Sequence, residues 1–289
     1  MQNKTLLLLF LLIQSFLLSA QEELEPFDKY GPPGVTYTDM KTALKEAKLV
    51  YKLKLEYAPI DPKLLPKLNK LTELQCLQLS GNSLTELPPG FTDLHNLVYF
   101  SCKANNINSL PKGFGTLEQL AEVQFINMQL DSLPFEIAYL GKLRRIEIQN
   151  NQADTLDLPN SFGYLGNLNE LLIFNSKLDT LPDSFTELKH LKSLTIAMCG
   201  LKKVPKAIGK ITSLETLILD NNGLNELPKS IYNLKNLKYL SVKSNHLTSI
   251  SDFVSKLQNL EVLDLRGNTF QEYDIVILKI LLPRCRILY

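Results

Sequence analysis

From Leu74 onward the chain can be cut at a leucine every 23 residues, at Leu74, Leu97, Leu120, Leu143, Leu168, Leu191, Leu214, Leu237 and Leu260, with one longer unit. A period of this length is that of one supersecondary unit, too small to bury an apolar face unless its copies stack. The unit at Leu214, "LETLILDNNGLNELPKSIYNLKN", reduces to LxxLxLxxNxLxxLPxxIxxLxx. Its fourth and sixth residues, Leu217 and Leu219, stand two apart at positions that are apolar in unit after unit, and predict a short strand with one face turned inward. Strands from successive units would lie parallel, about 4.8 Å apart.

The ninth position holds Asn82, Asn105, Asn151, Asn222, Asn245 and Asn268, and is interrupted by Met128, Ser176 and Cys199. Another inward leucine and a Leu-Pro step follow, as in Leu87-Pro88 and Leu227-Pro228. Proline fixes φ and lacks an N–H, which suits a turn onto the outer side. A Phe or Ile, such as Phe91 or Ile231, then packs beneath a short helical turn. With this asparagine column and LPxx(I/F) segment, residues 50–289 resemble leucine-rich repeat proteins of the exported bacterial and Ras-suppressor-like kinds. The resemblance implies an α/β solenoid: a horseshoe with a parallel concave sheet and short helices or turns on the convex side. It also implies that the six asparagines form a structural ladder, their amides satisfying backbone groups where the chain leaves each strand.

A stack of repeats needs ends. Residues 38–289 read as one repeat domain: an N-terminal cap and degenerate repeat over 38–73, nine repeats over 74–273, and a C-terminal cap over 274–289. "TDMKTALKEA" predicts the first cap helix and "VYKLKL" the degenerate strand, while "YDIVILKILLPRCRILY" predicts a last helix and a strand centred on Arg286-Ile287. In the eighth unit Ile250-Ser251 replaces Leu-Pro, and "DFVSKLQNL" reads as a longer helix. The fourth unit carries two extra residues, with Ala153 where the inward leucine belongs. That insertion is either a bulge on the turn side or a change of register that reshapes the concave face.

Residues 1–20, with Lys4 before an apolar run, have the plan of a secretory signal peptide, or alternatively of an uncleaved anchor. Residues 21–37, with "PFDKYGPPG", read as a leader and linker. An exported product, periplasmic, surface-bound or secreted, is expected. No later apolar run approaches the ~18 residues that span a bilayer. Cys102 and Cys199 fall at inward positions and Cys76 at an outward one, which predicts free, mostly buried thiols rather than disulfides.

A formal net charge of +1 leaves no basic footprint for nucleic acid or an anionic membrane. Function should therefore sit on the outward third, fifth and seventh positions of each unit. Glu122, Arg145 and Glu170 fall at one position of adjacent strands and predict an acid–base–acid row. Ile126, Leu172, Phe174, Ala197 and Ile218, with Met198 alongside, predict an exposed apolar patch, of the sort that marks interaction surfaces. Tyr99, Lys103 and Tyr239 would join the charged row as its rim.

His95, His190 and His246 are too dispersed for a metal site or triad. Glu147 and Glu170 form a carboxylate pair on paper, but Arg145 beside them would keep both ionised, unlike a glycosidase pair. The expectation is a monomeric, non-enzymatic module that uses no metal or cofactor and binds a protein or peptide. A surface protein recognising glycan through Tyr99 and Tyr239 is one rival reading. A cytoplasmic signalling scaffold is another, should the N-terminal segment not be a signal.

Overall fold

The computed structural model describes residues 29–57 and 60–289. The predicted signal segment and leader residues 21–28 lie outside the described residues. Among the described residues twelve strands follow one another in chain order in a single parallel sheet. They are β1 (Thr36–Tyr37), β2 (Lys52–Glu56), β3 (Cys76–Ser80), β4 (Tyr99–Lys103), β5 (Glu122–Ile126) and β6 (Arg145–Gln149), then β7 (Glu170–Phe174), β8 (Ser193–Ala197), β9 (Thr216–Ile218), β10 (Tyr239–Ser241), β11 (Val262–Asp264) and β12 (Arg286–Leu288). Pairing keeps the repeat in register: Cys76, Tyr99, Glu122, Arg145 and Glu170 are direct partners in turn.

The inward column is dry. Leu171, Ile173, Leu217 and their equivalents are almost fully buried and belong to one continuous core. Outside the sheet, each full repeat closes on a 3₁₀ turn such as Asp183–Glu187, whose Phe, Ile or, in the eighth unit, Val254 plugs the core from the other side. Phe162 and Phe185 stack at 6.1 Å and 7° between adjacent turns. The turns approach so closely that a Cβ on Gly163 would lie 2.0 Å from the carbonyl oxygen of Ser184.

The eighth position of every unit takes φ near +50° or above: Gly81, Ala104, Asn127, Asn150, Asn175, Met198, Asn221, Ser244 and Gly267. Six of these nine are Gly or Asn, the residues for which the left-handed region is least costly.

Three local readings change. "DFVSKLQNL" is not a longer helix but a five-residue 3₁₀ turn, Asp252–Lys256, like its sisters. Ser251 at φ −63°, ψ 145° adopts nearly the angles of Pro228 at −66°, 139°, so serine delivers the same turn. In the fourth unit Ala153 is not the inward residue: Leu156, 1% exposed, fills that place and Ala153 is half-buried. The extra residues sit in the outer turn, where Asp157 bridges Ser132, and β6–β7 pairing runs unbroken. The third change is β1, a strand the sequence reading did not anticipate, paired with β2.

Helix α1 (Met40–Lys45) covers the first end of the core, its N-terminus capped by Asp39 Oδ1 accepting from Thr42 N at 2.7 Å. Helix α2 (Glu272–Leu281), opened by a Gln271–Asp274 capping box, covers the other end. Its outer side leaves Tyr273, Val276 and Ile280 exposed.

Candidate functional site

On leaving each strand the chain must satisfy backbone groups that no longer pair in the sheet. Asn222 meets four of them: its Oδ1 accepts from Cys199 N at 3.1 Å and Leu201 N at 3.2 Å, and its Nδ2 donates to Ile196 O at 2.7 Å and Leu219 O at 3.0 Å. Asn105, Asn245 and Asn268 also bond both neighbouring and own-repeat backbone, Asn151 bonds both backbone groups of Leu130 in the preceding repeat, and Asn82 lies buried at the head of the column. Ser176 and Cys199 substitute with a hydroxyl and a thiol donating to Phe174 O and Ala197 O. Met128 is buried with no such group to offer. This column fixes the ends of the strands, and so the spacing of side chains on the opposite, concave face.

That face carries two unlike regions. In the middle, Arg145 stands among three carboxylates. Its Nη1 is 2.6 Å from Glu170 Oε1, its Nη2 3.0 Å from Glu147 Oε2, and its Nε 3.3 Å from Glu122 Oε1, the last contact lacking hydrogen-bond alignment. Burial opposes the guanidinium's charge, but Glu170, Glu147 and Glu122 together more than offset it and hold the Arg145 pKa above its ordinary value. Glu147 and Glu122 are themselves almost buried, at 6% and 3% exposure, so this is no loose surface row. The sequence pairs Glu147 with Glu170 beside Arg145 but leaves it out of the row; a contact along β6, from Arg145 to Glu147 two residues on, joins it to the others.

Beside the charges lies the apolar region, and here the expected exposed patch needs correction. Leu172, Phe174 and Ile218 are only 8%, 5% and 7% exposed, and Ala197 is fully buried. Outward side chains on parallel strands stand close enough to screen one another, and Phe174 is flanked in register by Gln149 and Ala197. Leu172, Phe174 and Ala197, with Met198 packed against them, form a cluster separate from the main core. Ile218 and Ile126 stand outside that cluster. Half-exposed residues on this face include Ile126, Met198, Arg145, Glu170, Lys103 and Tyr239.

Tyr99 is no open rim residue. It is 1% exposed, donates to Gln124 Oε1 at 2.8 Å, and lies 6.1 Å from the ring of Tyr30, a leader residue. Lys29 and Tyr30 both reach Glu122, contacts that no periodicity in the sequence could announce. Toward the C-terminal end, Asp220 Oδ1 accepts from Ser241 Oγ at 2.5 Å and Lys243 N at 3.0 Å. Burial, with some help from the Asp264 charge, nonetheless pushes its carboxyl up to about 6. The four cysteines are unpaired, and Cys285 is the half-exposed one.

No group of His, Cys, Asp or Glu suited to a metal occurs among the described residues, and none of their helices is long and apolar enough to cross a membrane. Clefts open away from the strand face: one of about 550 Å³ includes Lys112, Glu136 and Tyr139 on the turn side, and one of about 170 Å³ includes Met40, Ile60 and Leu64 at the cap. Exposed Phe135, Tyr139 and Tyr164 on the outer turns went unremarked in the sequence.

Comparison with solved structures places the fold. An internalin, InlF, from Listeria monocytogenes superposes with a TM-score of 0.71 at 23% identity, over 88% of this chain and 71% of that one. TLR13 in complex with ssRNA13 gives 0.69 at 23% identity over 82% of this chain and 35% of that one. The plant peptide hormone receptor RGFR1 in complex with RGF2 gives 0.50 at 24% over 75% and 39%. A search of curated proteins finds no match. The leucine-rich repeat region family matches residues 39–179 and 183–281, the greater part of the sequence. The chain belongs to the leucine-rich repeat family.

Proposed function

We propose that the protein binds another protein or a peptide across the concave strand face, between Lys103 and Tyr239. Leucine-rich repeat folds commonly serve as interaction modules rather than as enzymes. Neighbours of this fold hold ligands of different classes, an RNA with TLR13 and RGF2 with RGFR1, so the side chains must decide. The observation that carries the reading is the pairing of an apolar cluster outside the core with Arg145 held among three carboxylates, of which Glu122 and Glu147 are nearly buried. The fold requires neither. Buried charges cost desolvation energy that packed apolar residues would avoid, and a second apolar cluster on the solvent side of a sheet adds little to a core already complete.

Leu172 and Phe174 form the floor of the site, and Ile126, Met198, Arg145, Glu170, Lys103 and Tyr239 supply the contact area. An acidic group at the centre favours a partner with basic side chains over the phosphates of a nucleic acid. A preformed sheet loses little freedom on association. The glycan reading is less favoured because Tyr99 is covered. Export, resting on residues 1–20, is part of the proposal, and N-terminal sequencing of the mature protein tests it.

Capture of a partner from native extract by the full chain, followed by titration with variants, tests the face. Ile126→Asp should weaken that partner at least tenfold, whereas Tyr139→Asp on the outer turn should not. The opposite pattern would move the site to the exposed aromatics of the convex side.

A further inference from the structure

One rung of the concave face is covered over part of its length. Lys52, Cys76, Tyr99 and Glu122 occupy equivalent register positions on β2 to β5 and are 5%, 0%, 1% and 3% exposed. The next six residues along the rung, Arg145, Glu170, Ser193, Thr216, Tyr239 and Val262, are all half-exposed. The change coincides with the reach of the leader. Gly31, at φ +75°, lies against the Lys52 side chain. The Tyr30 carbonyl is 3.5 Å from Cys76 Sγ, and the Tyr30 ring stacks on Tyr99 with 18° between planes. Tyr30 OH donates to Glu122 Oε2 at 3.2 Å, and Lys29 Nζ stands 3.4 Å from the same oxygen. Three consecutive leader residues thus run across four strands, one rung position after another.

We propose that Lys29–Gly31 is a built-in occupant of the concave face, and that the partner which displaces it presents a basic side chain beside an aromatic ring. The covering segment shows what this end of the face recognises: a ring on Tyr99, and a hydroxyl and an ammonium on Glu122. Charge agrees. Arg145 and Lys29 together leave the three carboxylates one formal negative charge in excess, so a more basic occupant fits better. The cover is held lightly, since Lys29 keeps 48% of its side-chain surface exposed and such ion pairs are weak. Its tether gives it an effective concentration of about millimolar order, so a free peptide gains this end only by binding better than the leader does. The identity of that competitor rests on the peptide-binding reading above; the covering does not.

Cys76 reports the state of the rung, because its thiol lies under Tyr30. In full-length protein carrying Cys285→Ser, the rate of Cys76 modification by a small maleimide is measured for the parent and for Lys29→Ser/Tyr30→Ser. The double variant should react at least tenfold faster. An acetylated peptide of residues 29–34 should restore slow labelling in a saturable way, and the same peptide with Ser for Tyr30 should not. Equal rates in parent and variant would overturn the covering. Faster labelling that no peptide reverses would overturn the recognition of a basic–aromatic pair. Tyr30→Phe, which keeps the ring, should label at an intermediate rate, and a circular dichroism melt confirms that each variant is folded. Loss or retention of partner binding at Ile126 does not affect this readout, so the two readings fail separately.

Discussion

At the residue scale, the template letters carry different physics. Asn222 uses both donors and both acceptor lone pairs of its amide on buried backbone, which is all that an amide can do. Asn222→Ala strands those groups and should cost on the order of 2–5 kcal/mol, read as a lower melting temperature. The eighth position is subtler. Met198 alone puts a long apolar side chain on a left-handed backbone, and that side chain packs against Leu172, Phe174 and Ala197. Strain of this kind persists where the surrounding packing over-determines it. Met198→Asn should hold or raise stability, by up to about 1 kcal/mol, in a thermal melt. Asp220 offers a pH test. Its folded carboxyl sits at about 6, above the ordinary 3.8, so folding disfavours its charge. The cost is fully present above about 6 and vanishes as pH falls below the unfolded value. Asp220→Asn should therefore stabilise the protein by roughly 1–3 kcal/mol at pH 7.5 and leave it nearly unchanged at pH 3.5.

At the element scale, the repeat letters predicted strand and turn because each unit repeats one solution to one burial problem. What they could not predict follows from contacts between units. Ser251 makes the turn that Pro makes elsewhere, and Leu156 slides into the place that Ala153 leaves, since two extra residues in an outer turn let the chain reach it. Gly163 looks like a filler in "SFGYL", yet it marks where one 3₁₀ turn meets the backbone of the next. Gly163→Ala drives a Cβ into the Ser184 carbonyl and should cost about 1–3 kcal/mol or more. Gly141→Ala meets nothing within 4 Å and should melt like the wild type.

For the whole molecule, the sequence located the concave face but overestimated its openness. Periodicity assigns a side, inward or outward; it does not say that outward neighbours on close-set strands cover each other, as they do around Phe174. It also could not bring Lys29 and Tyr30, more than ninety residues from Glu122, onto that face. On the proposed reading, binding turns on the half-exposed residues around the apolar floor. Met198→Asp probes them cleanly, because Asp tolerates the left-handed backbone and places a charge where the partner would lie. The decisive measurement pairs its melting temperature with its affinity for the captured partner, beside Tyr139→Asp. An unchanged or higher melting temperature with at least tenfold weaker binding, and a Tyr139→Asp variant that binds normally, is the predicted result. Wild-type affinity in a folded Met198→Asp protein would contradict binding on the concave face.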